Sequence, residues 1–80
     1  MISKTSIRPT AHYLIFHSDV KWDLVVKTVL SPTKTRLNKR HGKRRFSYIK
    51  VFKKFVIEVH AEIGPIEETI WVINAFRMRR

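Results

Sequence analysis

Histidine, lysine, arginine and tyrosine are the side chains of this 80-residue chain whose chemistry suits phosphate esters. A histidine can take up and return a proton near neutral pH, and an arginine can hold a phosphate through two parallel hydrogen bonds. Metal-independent cleavage of RNA needs a base for the ribose 2′-hydroxyl, cations for the charged phosphate and an acid for the leaving oxygen. The side chains of this protein are compatible with that reaction.

Three histidines are candidates for the acid and the base. His12 and His17 flank an apolar segment, where a surface or capping position is the alternative to a catalytic role. His60 shares one face of a predicted strand with Glu58 and Glu62, so a carboxylate can orient its ring. A solvated histidine on the open side of a sheet explains the same pattern equally well.

The positive charge is concentrated in the middle of the chain. The formal net charge is +11, and residues 31–56 hold ten of the 17 lysines and arginines and no acid. These ten cations are Lys34, Arg36, Lys39, Arg40, Lys43, Arg44, Arg45, Lys50, Lys53 and Lys54. Their mutual repulsion favours a surface for a polyanion such as RNA, and a solvated basic loop is the alternative. Phe46 and Tyr48 alternate with Lys50, which predicts base stacking or, alternatively, cross-strand packing.

Composition excludes several classes of protein. Without cysteine there is no disulfide scaffold, cysteine-ligated zinc or thiol catalysis, and two glycines cannot build a Walker or dinucleotide-binding loop. The six acids do not cluster as in a two-metal nuclease, so we expect no metal and no cofactor. No segment approaches the roughly 20 apolar residues of a membrane span. The N-terminus also lacks a signal-like apolar run, so we expect a cytoplasmic protein without a membrane partner.

The hydrophobic patterns predict one helix among four strands. Residues 11–16 are aromatic and branched, which predicts a strand. Ser18 then predicts the N-cap of a helix that ends at Ser31-Pro32. The apolar face of this helix is formed by Trp22, Val25, Val26, Val29 and Leu30.

The second half of the chain predicts a hairpin-rich sheet. Residues 33–44 predict a basic loop that turns at Gly42, and residues 45–51, 55–62 and 69–76 predict strands, with a turn at Gly64-Pro65. Hydrophobic residues make up 44% of the chain, which is enough for a core. We therefore expect one α+β domain, residues 1–80. It would have an antiparallel three- to four-stranded sheet and one main helix on one face, in the order β-α-β-β-β.

Four short segments resemble the RelE/ParE/BrnT-like toxin superfamily, near its phage-associated barnase-like, colicin-like and RelE-like nucleases. The first is His17 followed by the helix 22–30 and its proline turn. The others are residues 45–50, the apolar residues 55–59 and the closing segment 71–77, with its apolar run, Asn74, Ala75, an aromatic and a basic residue. RelE-type toxins usually have a second N-terminal helix, and this sequence predicts only one, so ribosome dependence is not implied.

The resemblance implies a basic concave site on the sheet. Its matching positions are His17, Arg45, Lys50 and Arg77, while Asn74 stands where the family often has threonine. The candidate catalytic set consists of the four matching positions His17, Arg45, Lys50 and Arg77, together with His60. In this set the cations bind the scissile phosphate, and His17 or His60 is the base.

We therefore expect a small metal-independent endoribonuclease of the toxin type. One alternative is a non-catalytic basic module that binds nucleic acid. Another is a partner-binding domain whose basic face docks a small acidic antitoxin-like protein.

Overall fold

The computed structural model describes residues 6–38, 44–64 and 69–80. In these ranges it contains five strands and two short helices. They are β1 (Ile7–Pro9), α1 (Ala11–Phe16), α2 (Trp22–Leu30), β2 (Lys34–Leu37), β3 (Arg45–Val51), β4 (Phe55–Ile63) and β5 (Ile70–Arg79). The strands form one sheet in the order β1-β5-β4-β3-β2, in which β1 is parallel to β5 and the other pairs are antiparallel.

The predicted all-antiparallel sheet with one helix is therefore wrong, although the α+β class is right. Residues 11–16 form α1 and not a strand. The Oγ1 atom of Thr10 accepts a hydrogen bond from the backbone N–H of Tyr13 at 3.2 Å and so caps the first turn. A run of six residues, five of them apolar, has no periodicity that separates a buried strand from a short helix.

The two edge strands also differ from the prediction. β1 has only three residues and is parallel to β5, with Ile7 opposite Ile70. β2 lies in the segment predicted as a loop, and all four of its residues are exposed. A fully exposed edge strand needs no apolar alternation, so its sequence looks like a loop. The predicted turns at Gly42 and Gly64-Pro65 involve Gly42 and Pro65, which lie outside the described residues.

The prediction for α2 is correct at its end and wrong at its start. The helix ends at Leu30, before Ser31-Pro32, but it begins at Trp22 with Lys21 as its N-cap, and Ser18 lies in the preceding turn. The strands predicted at 45–51, 55–62 and 69–76 correspond to β3, β4 and β5. β5 runs three residues further, to Arg79, and the β4–β5 register shifts between His60 and Ala61.

The core lies between α2 and the sheet. Val25, Val26 and Val29 of α2 are buried against one sheet face, where β4 contributes Ile57 and Val59. The other buried apolar residues are Ile7, Tyr13, Val20, Tyr48, Ala61, Ile70, Val72 and Ala75. Trp22 packs against Tyr13 at a ring-centroid distance of 5.4 Å, as expected for a residue at the core boundary. No helix in the described part of the chain is long and apolar enough to cross a membrane.

Candidate functional site

The sheet face opposite α2 exposes an unusual mixture of aromatic, basic and acid–base side chains. Cross-strand partners share a face, so the register defines this open face. It is formed by Arg8, Lys34, Arg36, Arg45, Ser47, Ile49, Val51, Val56, Glu58, His60, Glu62, Trp71, Asn74, Phe76 and Met78.

His60 is near the centre of the open face. Ser47 of β3 and Asn74 of β5 are its cross-strand partners. The Nε2 atom of His60 lies 2.6 Å from Oε2 of Glu58, two residues along β4. Both side chains of this pair are 21% exposed, so they are reachable from solvent. The carboxylate fixes the orientation of the imidazole and leaves the other ring nitrogen, Nδ1, for a ligand.

Phe76 connects His60 with His17. The ring of Phe76 meets His60 edge-on at 5.4 Å between centroids and meets His17 edge-on at 5.2 Å. His12 is a further 5.1 Å from His17, at the same edge of the sheet. α1 packs along β5, which explains how a histidine from the N-terminal segment reaches the neighbourhood of His60. The two histidines therefore flank one exposed aromatic ring.

Arg45 supplies a cation beside the row formed by His60, Phe76 and His17. Its Nη2 atom forms an ion pair with Oε1 of Glu62 at 3.7 Å, and its buried Nε atom has no hydrogen-bond partner among the described residues. A buried donor without an acceptor is costly. The Arg45 side chain as a whole is 20% exposed, so the other N–H groups of its guanidinium can meet a ligand oxygen. Lys34 and Arg36 continue the positive charge along the exposed strand β2.

The sheet divides the five predicted catalytic residues. His17, Arg45 and His60 reach the open face. Lys50 and Arg77 are instead partners of Ile57 on the face that carries α2. The Nζ atom of Lys50 donates to the carbonyl of Ser31 at 2.7 Å, and the guanidinium of Arg77 stacks on Phe55. One phosphate cannot contact all five, because Lys50 and Arg77 extend from the opposite side of the sheet.

The predicted nucleic-acid-binding residues are also distributed. Lys34, Arg36, Arg44, Lys53 and Lys54 are exposed, whereas Lys39, Arg40 and Lys43 lie outside the described residues.

The predicted stacking residues face α2. Tyr48 is 6% exposed and belongs to the core, and Phe46 is half-buried against it. The aromatic rings on the open face are Trp71 and Phe76, which are 42% and 40% exposed. Their exposure is not evident from the sequence, because residues 69–76 are apolar on both faces and resemble a central strand. Alternation along 74–77, where the buried residue is Ala75, is a sequence signal for the exposure of Phe76. Trp71 lies outside this segment.

No group of three potential metal ligands occurs in the ranges that the structure describes. In comparisons with known proteins, no family model matches the chain, and no curated protein and no solved structure matches it. The resemblance to the toxin superfamily therefore stays a prediction from short motifs.

Proposed function

We propose that the open face binds single-stranded RNA. The observation that supports this most directly is the exposure of Trp71 and Phe76 on a sheet face that is flanked by arginines and lysines. Unpaired bases stack on such rings, while cations beside them hold the phosphates. Asn74, His60 and Ser47 form a polar row across β5, β4 and β3. Ser47 is buried, whereas the partly exposed His60 and Asn74 offer hydrogen bonds to ribose hydroxyls.

The charges of the open face support this proposal despite two acids. Glu58 contacts His60 and Glu62 contacts Arg45, so each carboxylate has a basic neighbour on the same face. Arg45 is the one lysine or arginine with an ion pair in the part of the chain that the structure describes. Unpaired cations on a protein of charge +11 favour a polyanionic ligand.

Alanine substitution of the two exposed rings tests the proposal. In fluorescence anisotropy with a labelled oligouridine, Trp71→Ala and Phe76→Ala should each weaken binding by about 1–3 kcal/mol, the usual value of one base–aromatic stack. The matched control is Leu14→Ala with Ile15→Ala, since these apolar side chains of α1 are even more exposed. Equal losses in the control, or none in the ring variants, would remove RNA binding from the open face.

A second candidate function is cleavage of the bound RNA, favoured by the two histidines on either side of Phe76. In this scheme one histidine removes the 2′-hydroxyl proton, and the 2′-oxygen attacks the adjacent phosphorus. The other histidine protonates the departing 5′-oxygen, which leaves a 2′,3′-cyclic phosphate and a 5′-hydroxyl. Arg45 would stabilise the charged phosphate, and Glu58 would hold the ring of His60 in its orientation. Lys50 and Arg77 have no part in this smaller site.

Incubation of the protein with RNA and EDTA tests cleavage separately from binding. Wild type should form cyclic-phosphate ends, and the double variant His17→Ala/His60→Ala should not. His12→Ala is the matched control and should retain the activity. Intact RNA with wild-type protein, or equal cleavage by the double variant, would leave binding as the sole function.

We also propose that the protein acts in the cytoplasm, because single-stranded RNA is abundant there and a cysteine-free chain needs no oxidising compartment. An acidic protein partner and membership of the toxin superfamily stay predictions from the sequence.

A further inference from the structure

A second concentration of positive charge lies away from the open face, at the β3–β4 turn. The rings of Phe52 and Phe55 stack at 4.8 Å with an interplanar angle of 22°. The guanidinium of Arg77 lies over Phe55 at 4.2 Å, and the ammonium of Lys50 lies over Phe52 at 5.8 Å. Two cations are thus held in place by the same aromatic pair.

The C-terminal arginines join this stack. The Nη1 atom of Arg80 lies 3.2 Å from the carbonyl oxygen of Phe52 and 3.5 Å from that of Lys53, so the chain end is tied to the turn. Arg79 is the cross-strand partner of Phe55. The result is a turn cluster formed by Lys50, Phe52, Lys53, Lys54, Phe55, Arg77, Arg79 and Arg80.

A groove of about 330 Å³ opens within the turn cluster and is lined by Lys54, Phe55, Arg77, Met78 and Arg79. Three of these five residues are cations, and no acid is among them. The sequence places Lys54 in the basic middle third and the arginines in the less basic last third. Their meeting is therefore visible only in the fold, where β4 and β5 are paired.

We propose that the turn cluster is a phosphate-binding site that holds the RNA backbone by charge and does not read bases. The guanidinium of Arg77, at 4.2 Å, and the ring of Phe52, at 4.8 Å, cannot both lie on one face of Phe55. Both faces of Phe55 are therefore occupied. No base can stack there. Arg77 is pre-oriented by its stacking, and an arginine fork suits phosphate oxygens. This site rests on the proposed RNA binding and assigns phosphate contacts to the turn cluster and base contacts to the open face.

Inorganic tripolyphosphate is the probe that separates the two sites, because it offers phosphates without bases. Isothermal titration calorimetry should show saturable binding to wild type that weakens with salt. Arg77→Gln/Arg79→Gln should bind it at least about tenfold more weakly, as expected for lost hydrogen bonds to a charged ligand. Trp71→Ala should bind it as wild type does.

Two further variants test whether weaker binding results from unfolding of the protein or from its lower net charge. Lys53→Gln/Lys54→Gln changes exposed turn residues only and should also weaken tripolyphosphate binding. Lys21→Gln/Arg44→Gln removes the same charge from exposed positions at the cap of α2 and before β3, and it should leave binding within about twofold, since screening limits long-range effects.

The salt dependence of RNA binding completes the test. The binding constant K for RNA falls as salt increases. In each turn-cluster variant the slope of log K against log salt should be shallower by about 1.4, which is about 0.7 for each of two lost phosphate contacts. Trp71→Ala should lower affinity at an unchanged slope. Unchanged tripolyphosphate binding and slope in both turn variants would overturn this site and leave open-face RNA binding intact. Tight binding of anionic phosphatidylserine vesicles, with none of RNA, would also overturn the assignment.

Discussion

Tyr48 and Trp71 lie on strands of the same sheet, yet only one of them can meet a ligand. Tyr48 faces α2 and is buried, whereas Trp71 faces the other way and is 42% exposed. The alternation of Phe46, Tyr48 and Lys50 on one side of β3 was predictable from the sequence, and the structure agrees. Which side meets the helix was not predictable, because both sides of β3 contain apolar residues and the pairing with β4 decides the matter.

Burial of Tyr48 has a consequence for stability at alkaline pH. Removal from water raises the pKa of this phenol above its ordinary value of 10.0. The unfolded chain therefore loses the proton first, and the free energy of unfolding falls as the pH rises above 10 toward the folded pKa. Below pH 10 this contribution is fully present.

Urea unfolding at a series of pH values checks this effect. Tyr48→Phe should show a shallower decline above pH 10 than wild type, because one of the groups responsible has been removed. The pKa of Tyr13 is also raised, by burial and by the negative charge of Asp19. Tyr13 should therefore still contribute to the decline in the variant. An identical decline in wild type and variant would contradict the burial of the Tyr48 hydroxyl.

At the scale of elements, α1 shows where sequence patterns fail. Residues 11–16 contain four apolar or aromatic side chains with strand character, but only Tyr13 is buried. The helix depends on Thr10, whose Oγ1 accepts from Tyr13 N–H and donates to the carbonyl of Val72 at 2.7 Å. One hydroxyl thus caps α1 and fixes it to β5, a tertiary contact that the hexapeptide itself does not encode. The apolar pattern extends over more residues in α2, β3, β4 and β5 than in α1. These four elements were therefore predictable.

Thr10→Ala should destabilise the protein by about 1–2 kcal/mol through loss of the helix cap and of the bond to β5. Thr10→Ser keeps the hydroxyl and is the matched control, with a much smaller expected loss. The midpoints of urea unfolding give both values. A Thr10→Ala protein as stable as Thr10→Ser would show that the hydroxyl does not stabilise α1.

At the scale of the whole molecule, the fold gathers like charges that the sequence keeps apart. β5 carries Arg77 and Arg79, and Arg80 follows it, next to the β3–β4 turn with Lys53 and Lys54. The net charge was known from composition, but the distance between these two segments depends on strand order. Repulsion among them lowers the stability of the folded state, and dissolved salt screens it.

Thermal unfolding at low and moderate salt measures this repulsion. The midpoint of wild type should rise when sodium chloride increases from about 0.01 M to about 0.15 M, since the Debye length shortens from about 30 Å to about 8 Å. Lys53→Gln/Lys54→Gln should be more stable than wild type at low salt, and the difference should shrink as salt increases. A wild-type midpoint that falls with salt would contradict the repulsion.

The proposed function depends on RNA bases stacking on the open face, and the fluorescence of Trp71 reports on that claim. In Trp22→Phe, Trp71 is the sole tryptophan of the chain. Addition of oligouridine at low salt should quench its emission in a saturable manner, and added salt should reverse the quenching as RNA dissociates. Unchanged Trp71 emission while anisotropy shows the RNA fully bound would contradict the claim, because the RNA would then be bound away from the open face.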